Sequence, residues 1–221
     1  MYGFGRDFSM KWQAVFFDFD GVILDSVDIK TKAFAKMFHQ YGSDVEAEVV
    51  TYHLLNKGIS RFEKFRHYYE NILKIPMDEE KLIFLGKEFS KIVLDEVIAS
   101  PFIPGAMETL EELKRLNISS YLVSGTPDEE MLLIVETKGL SLFFEEVHGS
   151  PRLKDEIIID LLHRKGYEPS KCLFIGDAMT DYNAAQKTGT CFLGIVKDGE
   201  RSPFPDGTWI SSSIKLLRVG V

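Results

Sequence analysis

The feature that most constrains this chain is the run AVFFDFD at residues 14–20. Its first four residues are apolar with no polar alternation, the pattern of a strand buried on both faces, as in parallel sheets covered by helices. The run then ends in Asp18 and Asp20, which share one side if strand geometry persists, since side chains alternate with period two. Two carboxylates at a buried strand end are costly without a metal ion or a cation beside them. A simple turn-capping role is therefore the weaker reading, and Phe16, Phe17 and Phe19 read as core.

The rest of the chain divides in two. From Val27 to about residue 100 the spacing is helical throughout, with stretches predicted over 28–41, 45–56, 60–73 and 78–98 and no convincing strand. Pro101 and Pro104–Gly105 then break the pattern. Beyond them helices and short apolar strands alternate: helix 106–116, strand 119–123, helix 128–138, strand 145–148, helix 154–166, strand 172–175, helix 180–187 and strand 190–195. A strand at 208–210 and a short helix at 212–218 complete the prediction. This alternation implies an α/β fold with a parallel sheet. Its core comprises residues 10–27 and 103–221, interrupted by an all-helical insertion over 28–102. Residues 1–9 read as an N-terminal extension. An insertion just after the first strand emerges at the carboxyl edge of the sheet, where open α/β sheets bind ligands.

Composition narrows the function. With 34 acidic against 26 basic residues the formal charge is −8, so a broad nucleic-acid surface is not expected. A few focused cations can still hold a small anion. No apolar run approaches the length that spans a bilayer, and the first residues lack a signal-peptide pattern, so the cytoplasm is the expected compartment. Cys172 and Cys191 lie in apolar strand runs and read as reduced, buried thiols. The five histidines show no metal-ligand spacing.

Four segments fall at or near strand ends: DFDGVILDS at 18–26, VSGTP at 123–127, Lys154 in RLKDE, and GDAMTD at 176–181. In a parallel sheet they converge on one edge. That places carboxylates, a hydroxyl and an amine together, a set suited to phosphoryl transfer. Crowded carboxylates favour a hard divalent cation, and magnesium takes one or two carboxylates plus waters and phosphate oxygens. Ser124, Lys154 and nearby backbone N–H groups can neutralise phosphoryl charge. Asp18 can attack phosphorus, and Asp20 can protonate the leaving oxygen and later activate water. Asp177 and Asp181 can alternatively cap the following helix, and Arg152 rivals Lys154.

These four segments, in this order, resemble the motifs of the haloacid dehalogenase superfamily in its phosphatase branch, over about residues 11–217. The resemblance implies a Rossmann-like core with a mobile helical cap, hinged near Ser26–Asp28 and Pro101–Gly105. It implies Asp18 as nucleophile and metal ligand, Asp20 as general acid/base with its carbonyl on the metal, and Asp177 as a direct Mg2+ ligand. Asp181 would orient Lys154 or a metal-bound water, and Ser124, Gly125 and Lys154 would hold the phosphate. In the insertion, NKGISRFEKF at 56–65 resembles a G-x-S-R loop that touches substrate in sugar-phosphate members, which nominates Lys57 and Arg61. Ser60 and Glu63 there also fit an ordinary helix start.

The expected reaction is hydrolysis of a small phosphorylated metabolite, of the phosphoglycolate or sugar phosphate class. A β-phosphoglucomutase-like phosphotransferase is the first alternative and a non-catalytic binding module the second. Two departures from the mutase pattern favour transfer to water: Lys30 replaces a hinge histidine twelve residues after the nucleophile, and Gly176–Asp177 replaces Glu–Asp.

Overall fold

The computed structural model describes residues 12–214. The order of elements is β1 (Ala14–Phe17), α1 (Val27–Phe38), α2 (Ser43–Leu55), α3 (Arg61–His67), α4 (Glu79–Ala99), α5 (Ala106–Arg115), β2 (Ser119–Pro127), α6 (Asp128–Thr137), β3 (Glu146–Ser150), α7 (Lys154–Lys165), β4 (Cys172–Gly176), α8 (Met179–Thr188), β5 (Cys191–Ile195) and β6 (Ile210–Ser211). The six strands form one sheet in the order β3-β2-β1-β4-β5-β6, and every pairing is parallel.

The sheet is covered on both faces, which explains the unbroken apolar character of β1. Ala14 and Phe16 pack with Tyr121, Phe174 and helices α7 and α8. Val15 and Phe17 face the opposite way, into a larger cluster that also holds Leu110, Leu122 and Ile134. That cluster runs on into the helical insertion through Phe34, Phe65 and Phe89, so the two parts of the chain share apolar packing. Phe34 is central there, with its ring centroid 4.4 Å from that of Phe89 and 5.6 Å from that of Phe65.

The two chain crossings between sheet and insertion run side by side. Asp25 N–H donates to Pro101 O, and Ile103 N–H donates to Ile23 O. The insertion is helical throughout, as the sequence predicts, but the stretch expected over 60–73 is not one regular helix. After α3 it passes into a π-helical turn over Tyr68–Leu73 and stops at Lys74, whose backbone is left-handed with φ 56°. The tail also departs from expectation. Residues 212–214 form bends rather than the start of a helix, because Ser213 N–H and Ser213 O both bond to the Ser211 hydroxyl; this is a local side-chain alternative to helical bonding. The remainder of that predicted helix, and the extension at residues 1–9, lie outside the described residues. The last strand is shifted to Ile210–Ser211, where it pairs with Gly194 and Ile195.

Neither cysteine forms a disulfide; Cys172 is buried, whereas Cys191 is only partly so. Burial pushes the Cys172 thiol up to about 11, the inert form. Among the described residues no helix is long and apolar enough to cross a membrane.

Candidate active site

Asp18 follows β1 directly, and its N–H donates to Ile175 O of β4 at 2.9 Å. Asp177 follows β4. Adjacent parallel strands therefore deliver both carboxylates to the same end of the sheet, as the sequence reading requires. Oxygen atoms of Asp18, Asp177 and Asp181 all lie within 4.8 Å of one another. Gly21 closes the turn after Asp20 with φ +76°, and a side chain there would meet Asp177 Oδ2 at 2.6 Å. Glycine at this point of the motif thus serves both the turn and the approach of the second carboxylate.

Lys154 is the first residue of α7 and only 7% exposed. Its ammonium lies 2.9 Å from Asp18 Oδ1 and 2.6 Å from Asp181 Oδ1. Burial works against the charge, but the two carboxylates overcome it and hold the ammonium protonated above its ordinary range. The rival cation Arg152 pairs instead with Asp160. The second oxygen of Asp181 accepts from Ala178 N–H at 3.1 Å, so this residue also caps α8. Asp181 performs both jobs that its position in the motif allows. With its two oxygens so occupied, Asp18 and Asp177 are left as the better metal donors.

The electrostatics of that pair fit a cation. Burial pushes the Asp18 carboxyl up, Lys154 pulls it back and the neighbouring carboxylates push again, leaving it at about 7. Burial, then Asp18 and Asp181, raise Asp177 well above the ordinary carboxylate range. Two buried carboxyls that resist ionising together are what a hard divalent ion relieves. The donor set therefore suits a hard divalent cation.

Asp20 is held differently. Ser26 Oγ donates to its Oδ1 at 2.5 Å. The Lys30 ammonium donates to Oδ2 and, at 2.7 Å, to Thr126 Oγ1, and that hydroxyl lies 3.3 Å from Asp20 Oδ2. Burial alone would raise the Asp20 carboxyl, but the charge and hydrogen bond of Lys30 more than offset it and leave the group below its usual value. Lys30, Ser26 and Thr126 were not singled out as site residues from sequence. Lys30 drew notice only as a departure from a family pattern, and the ten-residue gap between it and Asp20 carries no contact signal of its own.

Ser124 and Gly125 lie in β2, which extends to Pro127 rather than ending at 123. The register with β3 shifts between Val123 and Pro127, an irregularity of the kind that re-aims side chains beside sites. Ser124 is buried, and its Oγ accepts from Thr126 N–H at 3.1 Å. The insertion loop 57–60 presses on this segment: a side chain on Gly125 would meet Gly58 O at 2.5 Å, and Thr180 Oγ1 donates to Lys57 O at 3.0 Å. The insertion thus lies across the carboxyl edge of the sheet. The cleft beneath it is lined by Asp18, Asp20, Asp177 and Gly125 from the sheet side, and by Lys57, Arg61 and Lys64 from the insertion.

The two insertion candidates are placed as follows. The Lys57 ammonium is 3.9 Å from Asp177 Oδ2. Arg61 borders the cleft, but its guanidinium is committed to Glu130 of α6, with Nη1 2.8 Å from Oε2 and Nη2 2.5 Å from Oε1. Arg61 Nη1 also donates to Ser90 Oγ at 2.7 Å, and its Cζ sits 4.6 Å from the Phe89 ring centre. Ser60 caps α3, accepting from Phe62 N–H at 3.3 Å.

A profile of the haloacid dehalogenase-like hydrolases matches residues 15–195, from β1 to the end of β5. The chain belongs to that family. Among curated proteins this hydrolase is 24% identical over 180 residues to phosphoglycolate phosphatase 1 of Pseudomonas aeruginosa, a match covering 79% of the present chain and 66% of that enzyme. It is 25% identical over 216 residues to the phosphoglycolate phosphatase of Aquifex aeolicus, covering 93% and 96%. Its fold is similar to the crystal structure of β-phosphoglucomutase from Clostridium difficile, with TM-score 0.77, 23% identity and 94% coverage of each chain.

One prediction concerns the fourth motif. A side chain on Gly176 would collide with the Asp181 side chain. Overpacking of this kind costs about 1–3 kcal/mol, so Gly176→Ala should lower Tm by about 2–12 °C, read by calorimetry. An unchanged Tm would mean that α8 has slack at this point.

Proposed function

We propose that this hydrolase cleaves a small phosphate monoester, of the phosphoglycolate or sugar phosphate class, through an aspartyl-phosphate on Asp18. The observation that carries the reading is the gathering of Asp18, Asp177 and Asp181 at one sheet edge with Lys154 bound to two of them. Buried titratable groups perturbed by one another at a cleft are characteristic of functional sites.

In the proposed first step an Asp18 oxygen attacks phosphorus, and the P–O bond to the leaving group breaks. The departing oxygen takes a proton from the minor protonated form of Asp20, which the water-activating step regenerates, because the Lys30 and Ser26 contacts otherwise hold the group as a carboxylate. In the second step Asp20, now a carboxylate, removes a proton from water, and the resulting hydroxide displaces Asp18 and frees phosphate. The Lys30, Ser26 and Thr126 contacts favour the ionised form of Asp20, the form that activates water. Lys154, kept protonated by Asp18 and Asp181, and Ser124 with the N–H of Gly125 neutralise the phosphoryl oxygens. Asp18, Asp177 and the Asp20 carbonyl would hold Mg2+, which when bound offsets charge on the phosphoryl group. The helical insertion acts as a cap that excludes bulk water and opens for release by bending at the paired crossings near Asp25 and Pro101.

Purified protein with Mg2+ should release phosphate from p-nitrophenyl phosphate and from small monoesters, and chelation should stop it. Isomerisation of a hexose 1-phosphate faster than its hydrolysis would favour the mutase alternative. Absence of turnover across esters and pH values would favour a binding module.

A further inference from the structure

Four cations line the cleft. Lys30 pairs with Asp20, Lys57 approaches Asp177 and Arg61 is bound to Glu130. Lys64, one turn beyond Arg61 on α3, has no carboxylate partner among the described residues. It is 3% exposed. Its Nζ lies 2.9 Å from His53 Nδ1, within hydrogen-bond distance, and 5.7 Å from the centre of the Phe34 ring. When Lys64 carries its charge, His53 Nδ1 must accept that bond and the ring proton sits on Nε2. That nitrogen is buried without a hydrogen-bond partner. Burial first, and Lys64 second, keep the imidazole from taking a charge. A cation and a neutral donor thus stand side by side in the wall of the cleft, with no acceptor for either beyond the bond between them. Buried donors without acceptors, and a buried charge without a counter-ion, are costly arrangements. An anion entering the cleft relieves both.

We propose that Lys64, steadied by His53, receives a second anionic group on the substrate, at the end away from the phosphoryl group being cleaved. This rests on the hydrolytic reading above and narrows its substrate class to diacids: a phosphate ester whose tail carries a carboxylate or another phosphoryl group. Arg61 is not the receptor, since its fork is already filled by the Glu130 carboxylate. Burial, with the charge of Lys30 next, brings the Lys64 ammonium down to about 7, and an anion beside it favours the charged form.

The test compares kcat/KM within matched pairs: 2-phosphoglycolate against 2-hydroxyethyl phosphate, and ribose 1,5-bisphosphate against ribose 5-phosphate. A hydrogen bond to a charged group corresponds to about a 10- to 100-fold preference for the diacid, expected in one of the pairs, which then identifies the second acid. Lys64→Met should reduce that preference to within about 3-fold, mainly through KM, while the neutral-tailed ester of the pair changes by less than about 3-fold. Lys64→Arg should retain part of the preference. A wild-type ratio near one in both pairs overturns the assignment without recourse to any variant, and so does a preference that survives Lys64→Met. If the wild-type protein turns over none of the four esters, hydrolysis is the reading that fails. Calorimetric binding of 2-phosphoglycolate and ribose 1,5-bisphosphate to wild type and to Lys64→Met then decides the role of Lys64 alone: tighter binding by wild type supports it, and equal binding overturns it.

Discussion

Asp18→Asn should abolish phosphate release, by at least about 10,000-fold in kcat, because the amide offers no nucleophilic carboxylate and the remaining groups only bind and polarise. The variant should nevertheless fold. Asp18 is buried with two further carboxylates close by, so replacing it with a neutral side chain of the same shape removes repulsion while Lys154 keeps Asp181 as partner. Tm in the absence of added metal should therefore be unchanged or higher, and the rise in Tm on adding Mg2+ should shrink, since ligand-induced stabilisation scales with affinity. Residual turnover above about one tenth of wild type would remove Asp18 from the nucleophile role, because catalytic side chains that act as a unit leave far less when one is lost.

Glu130→Ala should be the most destabilising single change outside the apolar core. The Arg61–Glu130 pair is bidentate, both side chains are under a tenth exposed, and Ser90 Oγ adds a further bond to the carboxylate at 2.5 Å. Taking away one partner leaves an uncompensated buried charge, at a cost of about 3–5 kcal/mol. For a chain of this size that corresponds to a fall in Tm of about 6–20 °C. The double variant Arg61→Met, Glu130→Leu should recover most of the loss, since apolar groups of similar volume tolerate such sites. A Tm within about 2 °C of wild type for Glu130→Ala would show that solvent already reaches the pair. The pH dependence follows from the same contact. Burial raises the Glu130 carboxyl, but the hydrogen bonds and charge of Arg61 more than reverse that, so its folded value lies below the ordinary 4.5. The stability it contributes is thus complete above about pH 4.5 and is lost as pH falls below that value. Glu130→Gln should flatten this part of the stability–pH curve, measured by denaturation at a series of pH values.

This pair also changes how Arg61 is to be tested. From sequence, Arg61 is a cation in a substrate-contacting loop, and its truncation would be read as a probe of selectivity. In the folded protein it ties α3 of the insertion to α6 beside the sheet, so Arg61→Ala perturbs stability first. Lys64 is the opposite case. In the sequence it is one more charge in FEKFRH, indistinguishable from a solvated helix face, and only packing buries it against His53 and Phe34.

The placement of Asp18 and Asp177 was legible in one dimension because it depends on local geometry, whereas Lys154, with Arg152 as its rival, rested on the family resemblance. An apolar strand followed by an acidic residue puts that residue at a strand end, and parallel strands share one end. The glycines at 21 and 176 carry similar local information, as each is needed where another group comes too close for a side chain. The partners of Asp20 were less accessible. Thr126 is 106 residues away along the chain, and neither its type nor its neighbours single it out.

What the amino-acid sequence determined by itself was thus the parallel α/β frame, the helical insertion after its first strand and the acidic cluster at the strand ends, all of which follow from short-range periodicity and turn chemistry. What the tertiary structure alone decided was which charges neutralise one another: Lys30 with Asp20, Arg61 with Glu130, Lys154 with Asp18 and Asp181, and Lys64 with no carboxylate partner among the described residues. The physical reason is that electrostatic pairing depends on distance and burial after packing, and two residues 69 positions apart acquire both only when α3 and α6 come together.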